Sequence, residues 1–148
     1  MLSMKAKYAL RALCVLARKD KAMMQIKTIA KEADVPHKFL ETIMQELRSN
    51  GFVDSKRGVF GGYHLSQNPE HIYVGNIIRA IDGPLAPTRC ASVTAYKKCD
   101  DCHDEKTCAI RKLMVNVRNA ISNVLDNYNL RELAGMDPKG VDFINYCI

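Results

Sequence analysis

No long apolar run occurs in this 148-residue chain; the longest, Ala12 to Ala17, has six residues, whereas a membrane-spanning helix needs about 20. A secretory leader is not expected either, because Arg11 interrupts the apolar N-terminal stretch and Arg18-Lys19-Asp20-Lys21 follows it. The chain contains no internal repeat and no low-complexity tract. With 47% apolar and 26% charged residues it also lacks the composition of a disordered polymer. It carries no Ser/His/Asp arrangement, no phosphate-cradling glycine loop and no H-E-x-x-H. A large enzyme fold with a separate regulatory domain would not fit this length. These absences lead to the expectation of one globular, cytoplasmic, non-enzymatic protein without a membrane partner.

What is present is unevenly distributed. Residues 1–66 hold 12 Lys and Arg against 6 Asp and Glu, while residues 67–148 hold 10 of each. The whole excess of positive charge therefore lies in the first half, which points to a polyanion as the partner of that half.

The hydrophobic periodicity predicts mainly α structure with a small β-hairpin. A first amphipathic helix runs from about Ser3 to Lys19, with Tyr8, Ala9, Ala12, Leu13, Leu16 and Ala17 at helical spacing. A second covers about Ile26 to Glu32. A tight turn at Ala33-Asp34-Val35 leads to a third, which Pro36 opens and Asn50-Gly51 ends. Two short helices joined by a tight turn form a helix-turn-helix candidate. Two strands, Phe52 to Lys56 and Tyr63 to Ser66, then flank a turn at Arg57-Gly58-Val59-Phe60-Gly61-Gly62, in the position of a wing. If the third helix enters the major groove, His37, Lys38, Glu41, Thr42 and Gln45 are its base-edge candidates. Lys5, Lys7, Thr28 and Lys56 would serve phosphates, and Arg57 would suit the narrow minor groove. Gly58, Gly61 and Gly62, with Tyr63 beside them, would let the wing backbone come close to DNA.

A further helix is expected around Val74 to Ile81, followed by an irregular loop over residues 84–104. Ile110, Met114, Val117, Ile121, Val124 and Tyr128 then run at 4-3-4-3-4 spacing. Such a stripe suits pairing with another helix, so a homodimer is expected over a long helix within residues 105–134. Residues 135–148 are expected to form a mobile tail. The domain reading is therefore a winged helix-turn-helix over 1–83, a sensor loop over 84–104, a dimerisation helix and the tail.

Six cysteines are present, and Cys90, Cys99, Cys102 and Cys108 fall close together, with Cys14 and Cys147 outside the group. In a reducing compartment such a group indicates metal or redox chemistry before structural disulfides. The spacing C-x8-C-x2-C-x5-C does not follow the common zinc pattern of two separated C-x2-C pairs, although four thiolates would hold zinc. Cys99-x-x-Cys102 could also close a disulfide. No βαβ pattern surrounds it, as a thiol oxidoreductase of the thioredoxin type would require.

Several motifs together resemble the bacterial IscR/NsrR-type winged-helix transcription regulators, from Met1 to about Ala134. They are Tyr8-Ala9-Leu10-Arg11-Ala12-Leu13, Phe39-Leu40-Glu41, Arg57-Gly58-x-x-Gly61-Gly62-Tyr63 and the run from Val74 to Leu85, with the cysteines and a long helix ending in Leu130-x-x-Leu133 after them. The resemblance implies a homodimer whose wings straddle a pseudo-palindromic double-stranded operator. It also implies an iron–sulfur cluster on Cys90, Cys102 and Cys108, expected as 2Fe–2S with 4Fe–4S as the alternative. IscR-like members have a histidine where this chain has Arg111, and NsrR-like members a carboxylate where it has Lys7. Neither cation ligates iron, which leaves Cys99 as the candidate fourth ligand and His103 as a weaker one. The expected mechanism is a cluster that orders the loop and so biases the two recognition helices, with metal-free thiol sensing as the alternative, and a structural zinc site or a partner-binding adaptor further behind.

Overall fold

The computed structural model describes residues 2–136. Its elements in chain order are α1 (Met4–Ala17), α2 (Ile26–Ala33), α3 (His37–Ser49), β1 (Val53–Lys56), β2 (Gly62–Leu65), α4 (Val74–Asp82), α5 (Ala109–Leu125) and α6 (Leu130–Met136). Short 3-10 turns lie at Pro69–His71 and Arg89–Ala91. Among the described residues no helix is long and apolar enough to cross a membrane.

Helix α1 is the pillar of the N-terminal half. Every residue from Ala12 to Ala17 is buried, and α2, α3, α4 and α6 all pack against this helix. Its start is fixed by Ser3, whose hydroxyl accepts the Ala6 N–H at 3.0 Å and whose own N–H donates to Asp82 Oδ2 at 2.8 Å. The Ser3 hydroxyl also donates to Asp82, at the end of α4. One N-cap residue thus closes α1 and ties it to α4.

Helices α2 and α3 pack on α1 through Ile29, Ala30, Ala33, Leu40, Ile43, Met44 and Leu47. Asp34, between them, takes the left-handed conformation at φ 54°, the bend that turns one helix into the next. Pro36 is the residue before α3, not its first turn, but its fixed φ serves the same end.

β1 and β2 pair antiparallel, with Val53 opposite Leu65 and Lys56 opposite Gly62. A third backbone segment joins them: Met24 N–H donates to Tyr63 O at 2.9 Å, and Tyr63 N–H to Met24 O at 2.8 Å. Gly62 makes this possible, since a Cβ there would lie 2.3 Å from Met24 O, at a φ of +142° that other residues rarely adopt. The wing is therefore bonded to the segment that leads into α2.

The expected single long helix is two helices. α5 ends at Leu125, and α6 turns back onto α1, burying Leu130 and Ala134 in the core. The break is a reciprocal cap: Asn129 Oδ1 accepts the Glu132 N–H at 2.9 Å while Glu132 Oε2 accepts the Asn129 N–H at 2.9 Å. Tyr128, the last residue of the expected helical stripe, lies in this connection, where its carbonyl accepts from Val74 N–H. Gly135 and Met136, placed in the tail by the sequence reading, belong to α6. The rest of that tail, with Cys147, lies outside the described residues.

α5 is joined to α4 by a two-pronged ion pair, Arg79 Nη1 to Asp126 Oδ1 at 2.6 Å and Nη2 to Oδ2 at 2.8 Å. The hydrogen bond from Arg79 holds the Asp126 carboxyl below the usual aspartate range; burial opposes it with a lesser effect, and the Arg79 charge adds a smaller lowering. A depressed aspartate contributes stability that is present above its unfolded pKa, about 3.9, and is lost as pH falls through the folded value. Both side chains are partly in water, so the pair is worth about 0.5 kcal/mol. Asp126→Asn is therefore expected to lower Tm at pH 7 by about 2 °C, a difference that closes below pH 4. Melting curves of both proteins across pH 2.5–7 check this.

Candidate nucleic-acid interface and cysteine loop

The apolar set of α3 leaves its opposite face open. Lys38, Glu41, Thr42 and Gln45, at spacings of three, one and three, are all exposed and share that face. His37 stands at the start of the helix, half-exposed, with Nδ1 3.6 Å from Glu41 Oε1. Its Nε2 is enclosed and has no hydrogen-bond partner among the described residues. Glu41 thus lies within reach of an imidazole as well as of any base edge.

The expected phosphate contacts divide. Lys7, Thr28 and Lys56 are exposed. Lys5 is engaged, its ammonium 2.6 Å from Glu46 Oε2, and so clamps α1 to α3. Arg57 and Gly58 are exposed at the wing tip, whereas Gly61 is buried beneath it, where a Cβ would stand 2.1 Å from Lys56 O. Tyr63 is partly buried against the core and is committed through its backbone to Met24. Gly61, Gly62 and Tyr63 therefore shape and anchor the wing, and of the expected contacts there Lys56, Arg57 and Gly58 are open. Two residues that the sequence reading assigned no role, Val59 and Phe60, are 82% and 91% exposed. Two apolar residues inside a glycine-rich turn were the available signal.

The cysteine loop is irregular but held. Arg111 Nε donates to Cys90 O at 3.0 Å, and Arg118 Nη1 donates to Ala91 O, so two arginines of α5 grip the Arg89–Ala91 turn. Arg111, unsuited to iron, is here a strut. Cys90 is buried and its Sγ lies 3.4 Å from Thr88 Oγ1. Cys99 is exposed, and a hydrogen bond with Cys90, then the charge of Cys90 and lesser effects, push its thiol above the usual range. Cys108 caps α5, its Sγ accepting the Arg111 N–H at 3.4 Å. Cys102 is half-exposed and His103 exposed. Of the loop cysteines, Cys90 thus lies near enough to Cys99 to bias its thiol, and Cys90, Cys102 and Cys108 do not gather. Among the described residues no three His, Cys, Asp or Glu side chains converge as a metal site requires.

Helix α5 contributes no buried residue at all. Along it Ile110, Leu113 and Val124 are 68%, 57% and 55% exposed, while Met114, Val117 and Ile121 are half-exposed.

A helix-turn-helix backed by an anchored two-stranded wing defines a winged-helix DNA-binding protein. The profile of the Rrf2 family, described as iron-dependent transcriptional regulators, matches residues 2–135, and the chain belongs to this family of transcriptional regulators. It is 42% identical over 137 residues to a Rhodobacter capsulatus protein described as an rrf2-like HTH-type transcriptional regulator, covering 90% of this chain and 91% of that one. The structure of CymR, the global cysteine regulator of Bacillus subtilis, superposes with a TM-score of 0.75 at 32% identity, over 93% of this chain and 98% of that one. IscR of T. potens gives 0.69 at 27% identity, over 90% and 85%.

Proposed function

We propose that this chain is a homodimeric, sequence-specific regulator that binds a pseudo-palindromic operator through α3 and the wing, without a catalytic step. The observation that carries this reading is the exposed row Lys38, Glu41, Thr42 and Gln45 on α3, with Lys56 and Arg57 on the adjoining wing. Gln45 pairs with adenine and Lys38 with guanine or a phosphate, while Arg57 enters the minor groove. The half-exposed and exposed apolar residues of α5 support pairing with a second copy, which would place two recognition helices on successive major grooves. Gln45→Ala is expected to relax base preference at one position per half-site, at a cost of about 1–3 kcal/mol. Lys56→Ala is expected to weaken all duplexes alike and to lower the salt slope by about one per site. Binding isotherms at several salt concentrations on a duplex selected from a random library test both. A wild-type chain that prefers no duplex overturns the reading.

The loop thiols are the signal input in this reading, and the neighbouring Cys90 and Cys99 favour thiol–disulfide sensing. A second reading is an iron–sulfur cluster on Cys90, Cys102 and Cys108, with Cys99 as fourth ligand. It is supported by the Cys102-x5-Cys108 spacing and by the likeness to IscR. The thiols as placed do not fit such a cluster, so the loop would have to be rebuilt around it. Iron and sulfide counts per chain after anaerobic purification separate the two.

A further inference from the structure

The tip of the wing is a four-residue turn, Gly58 to Gly61, closed by the Gly61 N–H donating to Gly58 O at 3.0 Å. Its two corners are Val59 and Phe60, the two most exposed large apolar residues described. Turn corners ordinarily carry Gly, Asn, Asp or Ser, whose chemistry stabilises the turn. Val59 and Phe60 do nothing comparable here, since neither joins the core. Nor is the tip a loose loop: Gly61 packs against the Lys56 backbone, and the strand behind it is bonded to Met24. A rigid hairpin therefore holds an isopropyl group and a phenyl ring out in water.

Lys56 and Arg57, both exposed, precede this tip, and β1 begins four positions after the end of α3. An apolar point with a cationic collar fits a polyanion that offers apolar surface between its charges. The DNA minor groove is such a surface, with phosphates along its walls and stacked bases at its floor. Resting on the DNA-binding reading above, we propose that Phe60, backed by Val59, is a wedge that enters the minor groove beside each half-site, partly unstacks one base step and bends the duplex. The cost of unstacking is smallest at TA and CA/TG steps, so the wedge adds sequence preference at a position that no side chain reads by hydrogen bonds.

The test uses the full chain and a 30-base-pair duplex selected from a random library by the wild-type protein. Phe60→Ala is expected to weaken binding about tenfold with the salt slope unchanged, because no ionic contact is lost, and to reduce the bend seen by circular-permutation electrophoresis. Phe60→Leu is expected to keep most of both. Replacing the step under the wing by a stiff A-tract step should weaken the wild type and leave Phe60→Ala indifferent. Phe60 supports no packing, so thermal melting of the variants should match the wild type. Phe60→Ala binding and bending like the wild type, while Gln45→Ala loses specificity, overturns the wedge and leaves the DNA-binding reading standing. A shift of Phe60→Ala from dimer to monomer, or wild-type binding to lipid vesicles that Phe60→Ala loses, with DNA binding unchanged, would assign the tip to another partner and equally overturn it.

Discussion

Val117→Glu with Val124→Glu is expected to yield a folded monomer whose operator affinity is lower by more than about a hundredfold. The expectation follows from what α5 does in one subunit. None of its 17 residues is buried, and polar contacts tie it to the rest of the chain: Arg79 to Asp126, Arg111 to Cys90 O and Arg118 to Ala91 O. The stripe is therefore not part of the subunit's own core, and charging it should leave the fold intact. In a symmetric pair each new carboxylate would meet its own copy or the apolar face of the partner helix, at a cost of several kcal/mol. Half-sites would then be bound one at a time, losing the effective concentration that a linked second module supplies, typically worth a factor of 10²–10⁴. Sedimentation velocity and operator titration read the two effects. A variant that remains dimeric would remove α5 from the interface.

The DNA-binding half was legible because its signals are local. The periodic apolar residues of α1 to α3, the Asp34 bend and the glycines of the wing each constrain backbone within a few residues of themselves. The join between α5 and α6 was hidden because the 4-3-4-3 spacing runs on to Tyr128, across the break. A signal did exist in Asn129-x-x-Glu132, a reciprocal cap that starts a new helix, but the continuing stripe outweighed it. The cysteine loop was least legible. Spacing suggested that Cys99 could pair with Cys102, and the family resemblance implied that Cys90, Cys102 and Cys108 gather, whereas in the structure it is Cys90 that acts on the Cys99 thiol. The Cys90 side of that placement is held by Arg111 and Arg118, long side chains arriving from a distant helix, and no local pattern encodes it.

The placement of these thiols leads to the other large expected effect. Peroxide treatment of the metal-free wild type should form one disulfide, Cys90–Cys99, and lower operator affinity about thirtyfold, within the usual range of coupling between sites. One thiol attacks the peroxide, becoming a sulfenic acid and releasing water; the other then displaces a second water as the S–S bond forms. The proton held on Cys99 by its neighbour keeps this slow at neutral pH, so the rate should rise as pH is raised through the thiol range. The consequence for DNA arises at the turn of Arg89–Ala91. A Cys90–Cys99 bond would pull on the turn whose carbonyls Arg111 and Arg118 hold, and in the proposed dimer those arginines belong to the helix that would set the spacing of the two recognition helices. Cys99→Ser should bind the operator as the reduced wild type does and ignore peroxide, while Cys102→Ser should still respond. Peptide mapping that finds Cys99 joined to Cys102, or a Cys99→Ser protein that still responds, would overturn this assignment of the switch.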